Sequence, residues 1–256
     1  MDNWKIWDND KNYGDFLKER SLGNLPEMES SKSISSIINN YLKENDTILD
    51  FGCASGHYVK SFENRLTKKF NYIGLDATKY YIDCAKSVFK DKYQFKVDDV
   101  FNSNQESSSA DIVICNNLFH HLPSIEIPLK ELIRISKKYI IIRTLIGNQT
   151  FRIKQAEEPE IINEEGELVN FHYYNIYSAN YIKSLIKKQN LKSYELIDDN
   201  NYNSEVFKPE KNWAGKPLKD LTSIIDGKQI NGYIIQPWKF IILEKYIAGW
   251  SSPVAR

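Results

Sequence analysis

The segment 48-ILDFGCASGHYV-59 carries the strongest pattern in this chain. An apolar run over residues 47–51 enters a turn of small residues, and helical spacing follows over 58–66. Small residues let backbone N–H groups and a helix N-terminus approach a ligand closely. The same residues would also serve a plain strand–helix turn with no ligand. A dinucleotide fingerprint would need glycine at 52, 54 and 57, where this chain has Gly52, Ala54 and His57. A side chain as large as His57 would obstruct the helix–strand packing that the third glycine serves. Dinucleotide binding is therefore the weaker reading.

Upstream, Ile34, Ile37, Ile38, Tyr41 and Leu42 keep helical spacing, with Ser30 or Ser31 as the expected cap. Downstream, strands are expected over 72–75, 93–97, 111–115 and 139–144, with helical segments reaching Phe89 and covering 127–136. A helix over 178–189, capped by Ser178, and strands over 192–197 and 238–246 complete the pattern. Alternating strands and helices imply βαβ units and a mostly parallel sheet. The continuous runs DIVIC and YIII suit strands buried on both faces. Ligands of such sheets bind beyond the carboxyl ends of the strands, near the point where strand order reverses.

The 256 residues suit one domain of generous size with insertions. With 34 basic and 34 acidic side chains the formal charge is zero, which disfavours a general nucleic-acid clamp. Cys53, Cys84 and Cys115 show no metal-type spacing, so reduced thiols are expected. The N-terminus is charged and the apolar runs are too short to span a bilayer. The expectation is a soluble, cytoplasmic protein without a membrane partner.

At the glycine turn the chain resembles the class I S-adenosylmethionine-dependent methyltransferases. Their first motif, two hydrophobic residues followed by Asp-x-Gly-x-Gly-x-Gly, is matched by Asp50, Gly52 and Gly56, with Ala54 in place of the middle glycine. Three further motifs follow in order: YIGLDAT with Asp76, FKVDDVFN with Asp98 and Asp99, and ADIVICNNLFHHLP with Asn116 and Asn117. The resemblance is clear over residues 46–145. It implies a Rossmann-like, doubly wound α/β fold with a mostly parallel seven-stranded sheet whose last strand is antiparallel. It implies S-adenosylmethionine as cofactor and S-adenosylhomocysteine as product.

The contacts that it implies begin with Asp50, Gly52, Cys53, Ala54 and Gly56 in the first motif. Asp76, followed by Ala77, would accept from the ribose hydroxyls. Asp99 is preferred to Asp98 for the adenine amino group, with Val100 offering its N–H. Asn116 and Asn117 would line the methionine end, and Tyr13 would reach it from an amino-terminal segment folded over the site.

The domain layout expected is a helical cap over 1–45, a methyltransferase domain over 46–247, and a flexible tail over 248–256. Insertions at 146–177 and 199–236 would cover the site and form the acceptor pocket. The first insertion carries an acidic run from Glu157 to Glu167, and the second holds Tyr202, Phe207, Trp213 and Tyr233. Base candidates are His121, His120 and His172, because imidazole titrates in the useful range and the first two lie just past the fourth strand. Structural packing of His120 and His121 competes with that role and is the more favoured reading of the two. His57 is expected to line the pocket or cap its helix. No Asp-Asp-Asn metal set appears around that strand.

The leading expectation is O-methylation of a small, polar or sugar-like acceptor. One alternative is N-methylation of a small amine or of RNA, the latter disfavoured by the acidic run. Another is a non-catalytic cofactor-binding regulator. No feature of the sequence selects an oligomeric state.

Overall fold

Apolar side chains alternate between two faces along the central strands, and that alternation builds a sheet with helices on both sides. The computed structural model describes residues 7, 10–199, 222–225, 228–231 and 234–246. Two helices, α1 (Lys11–Leu22) and α2 (Glu29–Tyr41), precede β1 (Asp46–Phe51). Then come α3 (His57–Arg65), β2 (Phe70–Asp76), α4 (Lys79–Phe89), β3 (Gln94–Val97) and β4 (Ala110–Asn116). The chain continues through α5 (Glu126–Ile135) and β5 (Ser136–Gly147) to the short strands β6 (Lys154–Ala156), β7 (Phe171–Tyr173) and β8 (Tyr177–Ser178). It closes with α6 (Ala179–Lys187), β9 (Ser193–Asp198), β10 (Thr222–Ile225), β11 (Lys228–Asn231), β12 (Ile234–Ile235) and β13 (Trp238–Glu244).

The main sheet runs β3-β2-β1-β4-β5-β13-β9, with β8 paired beside β5. The first five strands are parallel, and β13 is antiparallel to both β5 and β9. Strand order reverses between β1 and β4, so the carboxyl ends there open a crevice. Ile48, Ile112 and Ile114 face a core completed by Ile34, Ile38, Val59 and Phe62 of α2 and α3. Leu49, Val113 and Cys115 face the opposite core, completed by Leu132, Ile135, Leu185 and Ile186 of α5 and α6.

The strand and helix expectations hold to within a few residues, and Ser178 caps α6 by accepting the Tyr181 N–H at 3.1 Å. The expected cap of α2 is corrected. Met28 occupies the cap position, and Ser30 and Ser31 lie inside the helix. They bond across to α3, Ser30 to the Tyr58 hydroxyl and Ser31 to the Ser61 hydroxyl, each at 2.8 Å. Small hydroxyl side chains let the two helices approach closely there while keeping their polar atoms bonded.

The region 146–177 folds as the antiparallel pair β6–β7 followed by β8 on the main sheet. Of the region 199–236, the described part holds Asp199, Gln236 and the three-stranded sheet β10-β11-β12. Tyr202, Phe207, Trp213, Tyr233 and the tail 248–256 lie outside the described residues. Among the described residues, no helix is long and apolar enough to cross a membrane.

Candidate active site

The turn after β1 is built from left-handed backbone. Gly52, Ala54 and Gly56 have φ of +79°, +47° and +80°. At Gly52 a Cβ would meet Leu118 at 3.2 Å, and at Gly56 it would meet Phe89 at 2.9 Å, so both glycines answer to space as well as to angle. Ala54 adopts the same conformation with its Cβ in place, at a cost of roughly 1–2 kcal/mol.

The neighbouring motif offsets that cost. Asp76, at the end of β2, accepts the Ala54 N–H on Oδ2 and the Thr78 N–H on Oδ1, each at 2.9 Å. A carboxylate offers about four acceptor directions, and that of Asp76 also faces a cleft at the reversal between β1 and β4.

That cleft gathers most of the residues singled out from the sequence: Gly52, Ala54, Asp76, Ala77, Asp98, Asp99, Val100, Asn116, Asn117, His121 and Tyr13. Asp98 and Asp99 differ in what they hold. Asp98 is buried and accepts from the Asp99 and Asn104 N–H groups, the Ser103 hydroxyl and the Gln105 amide, so it organises the loop after β3. Asp99, more exposed, accepts the Phe101 N–H at 2.9 Å. Asn116 is 4% exposed and lines the cleft, yet neither atom of its side-chain amide has a hydrogen-bond partner. A buried amide without partners costs free energy that a bound polar ligand would return.

Asp50, Cys53 and Gly56 do not line the cleft. Asp50 points behind its wall, where it is 1% exposed and accepts the Tyr72 hydroxyl at 2.8 Å. Burial pushes its carboxyl up to about 7 despite that bond. Its place in the first motif is thus explained by what it does under the turn. Cys53 is wholly buried, and burial raises its thiol.

The amino-terminal helix closes one side. Gly14 packs so tightly on α4 that a Cβ there would meet the Tyr81 ring at 2.7 Å. Ser55 donates to the Gly14 carbonyl and Ser21 donates to the Ser55 carbonyl, both at 2.8 Å, so α1 is stitched to the turn. Tyr13 and Trp7 reach the cleft from this side, and burial pushes the Tyr13 hydroxyl up to about 12.

The four histidines separate into distinct roles. His57 lines the cleft, and burial followed by Arg20 takes it down to about 3. His120 is 2% exposed and does not line the cleft; its ring stands edge-on to Trp238 and Tyr174. Burial, then the neighbouring His121, lowers it far below its ordinary value. His121 does line the cleft, and its Nδ1 lies 2.9 Å from the carbonyl oxygen of Tyr173. A carbonyl only accepts, so Nδ1 carries the proton and Nε2 keeps its lone pair in the neutral ring. Burial, reinforced by His172, takes His121 down to about 3.

His172 on β7 does not itself line the cleft. Its Nδ1 donates to Glu157, its ring centre lies 5.8 Å from that of His121, and Trp7 packs on both rings. The β6–β7 hairpin thereby brings the acidic insertion to the mouth of the cleft. Among the described residues, no three His, Cys, Asp or Glu side chains converge as metal ligands.

One group escaped the sequence reading. Arg143, on β5, lies behind Asn117 and pairs with Asp199 at 2.6 Å, both nearly inaccessible. A cation inside the apolar run YIIIRTL was the only local signal.

A family model described as a methyltransferase domain matches residues 42–202. No curated protein matches by sequence. Among solved structures, phosphoethanolamine N-methyltransferase 2 of Haemonchus contortus superposes with a TM-score of 0.62 at 14% identity, covering 96% of this chain and 61% of that one. An S-adenosylmethionine-dependent methyltransferase of Methanosarcina mazei gives 0.53 at 17%, covering 82% and 97%. A possible histamine N-methyltransferase of Thermotoga maritima gives 0.52 at 15%, covering 95% and 100%. These structures share the fold.

Proposed function

This chain belongs to the methyltransferase family whose domain model spans residues 42–202, and we propose S-adenosylmethionine-dependent methyl transfer to a hydroxyl of a small polar acceptor, with His121 as the base. The cleft suits the cofactor: the Asn116 amide lacks partners, and Asp76 stands at the end of β2 beside a turn of left-handed backbone. When bound, the cofactor supplies a methyl group activated by a sulfonium and leaves as S-adenosylhomocysteine. On this reading Asp76 accepts from the ribose hydroxyls, and Asp99 with the Val100 N–H meets the adenine. Asn116 satisfies its amide on the methionine portion. Tyr13 and Trp7 on the amino-terminal side exclude water.

One observation carries the role of His121: its Nδ1–H is committed to the Tyr173 carbonyl while the ring lines the cleft. Nε2 is then the atom that can receive a proton from an acceptor hydroxyl. Depressed to about 3, His121 is neutral throughout the physiological range. So weak a base suffices if it acts late, because an oxygen becomes strongly acidic as its new bond to carbon forms. Glu157, held by His172, supplies negative charge near the imidazolium that results.

The test is incubation of the chain with S-adenosylmethionine and a panel of hydroxylated metabolites, reading S-adenosylhomocysteine and the methylated product by mass spectrometry. Formation of an O-methyl product that fails when His121 is replaced by Ala supports the proposal. Turnover that ignores the substitution overturns it.

N-methylation of a small amine is the second reading. Glu157 and the rings of Trp7 and Tyr13 would favour a cation arriving at the mouth. Two of the similar structures are described as acting on amines, phosphoethanolamine and possibly histamine. An N-methyl product from the same incubation would select it.

A further inference from the structure

Asn117 stands on the cleft wall at φ = +56°, a left-handed conformation that needs support from its surroundings. Its Nδ2 donates to the Tyr58 hydroxyl at 3.1 Å, and its Oδ1 accepts from Nη1 of Arg143 at 2.5 Å. The guanidinium is 3% exposed, lies 3.9 Å over the Trp238 ring, and donates from Nε to Asp199 Oδ2 at 2.6 Å. Desolvating two opposite charges offsets most of their attraction, so stability alone does not account for this pair. A planar guanidinium can, however, bond in two directions at fixed geometry. One direction goes to Asp199 and the other to the cofactor wall.

The position of Asp199 adds to this. It follows β9 and begins the second insertion, and its N–H donates to the Trp238 carbonyl at 3.0 Å. Gln236, where that insertion ends, donates to the Tyr174 hydroxyl and accepts the Trp238 indole N–H at 3.2 Å. Arg143 therefore stands between the cofactor wall and both roots of the insertion.

We propose that Arg143 is a positioning residue for the cofactor. It commits Oδ1 of Asn117 to itself, which turns the amide donors toward Tyr58 and the cleft, and it anchors that orientation to the root of the second insertion through Asp199. The inference rests on the cleft as the cofactor site and is independent of the acceptor.

The test is calorimetric titration of S-adenosylhomocysteine into the full chain, Arg143→Lys, Asn117→Gly and the double variant. Lysine keeps a charge for Asp199 but loses the fork, and glycine accepts the left-handed backbone without the amide. Each single substitution is expected to weaken binding about tenfold, the loss of one hydrogen bond to a charged or oriented group. The double variant should be no weaker than Asn117→Gly, because Arg143 acts through Asn117. A wild-type chain that binds, together with an Arg143→Lys that binds equally well or with losses that add, overturns the positioning role alone. If Arg143→Lys does not fold, Asp199→Asn makes the same comparison: weaker binding when Asn117 is present, and no further loss in the Asn117→Gly background. Additive losses there overturn the role equally.

Discussion

Ala54 donates its backbone N–H to the Asp76 carboxylate at 2.9 Å while standing at φ = +47°. The bond joins two motifs that lie 22 residues apart and fixes the turn against the end of β2. It also explains how an alanine persists where the family pattern has glycine: a charge-assisted bond holds the strained residue in place.

Ala54→Gly should therefore stabilise the fold. Removing the Cβ relieves roughly 1–2 kcal/mol of left-handed strain, and the added freedom of the unfolded chain returns about 0.4–1 kcal/mol of it. A net gain of roughly 0.5–1 kcal/mol is expected from the denaturant midpoint at unchanged m-value. A loss of stability would contradict the strain argument.

Asp76→Asn should weaken cofactor binding about ten- to a hundredfold, since hydrogen bonds to a charged acceptor contribute on the order of 1.5–3 kcal/mol. The amide oxygen can still accept one backbone N–H, so the fold should survive. Calorimetry with S-adenosylhomocysteine gives the affinity, and a thermal melt gives the stability. Unchanged affinity would remove Asp76 from the site.

Acid should destabilise the protein earlier than carboxylate titration alone requires. His57 and His121 sit at about 3 in the fold, and His120 lies far below its ordinary value, against 6.5 for each when exposed. As pH falls below about 6.5 the unfolded chain takes up three protons that the folded chain refuses, so stability drops. Asp50 opposes one of them. Its folded value near 7 exceeds its ordinary 3.8, so it stabilises the fold progressively as pH falls through 7. The net effect is close to two protons, a slope of about 3 kcal/mol per pH unit around pH 5. Denaturant midpoints between pH 7 and 4.5 measure it, and a flat profile would show that these histidines are not buried in neutral form.

The strands and helices were legible because apolar period and run length are local properties, as the runs 111–115 and 139–144 illustrate. The cleft wall was legible because its residues follow successive strands, and a parallel sheet brings strand ends together. Ser30 and Ser31 were misjudged because a cap and a close helix–helix contact call for the same small hydroxyl residues. Asp50 was assigned to the cleft, yet the backbone turns its side chain under the wall toward Tyr72. The pairing of His172 with Glu157, and of Arg143 with Asp199, depends on which segments the fold brings side by side across 15 and 56 residues. No local pattern encodes that.

In the proposed reaction His121 receives the acceptor's proton as the methyl group is transferred. Turnover of wild type and His121→Ala is compared with S-adenosylmethionine and the acceptor found in the hydroxylated panel, alongside the affinity of each for S-adenosylhomocysteine. A slowing of about a hundred- to ten-thousandfold in kcat, with cofactor affinity unchanged, is the predicted result. Equal kcat in the two proteins would contradict it.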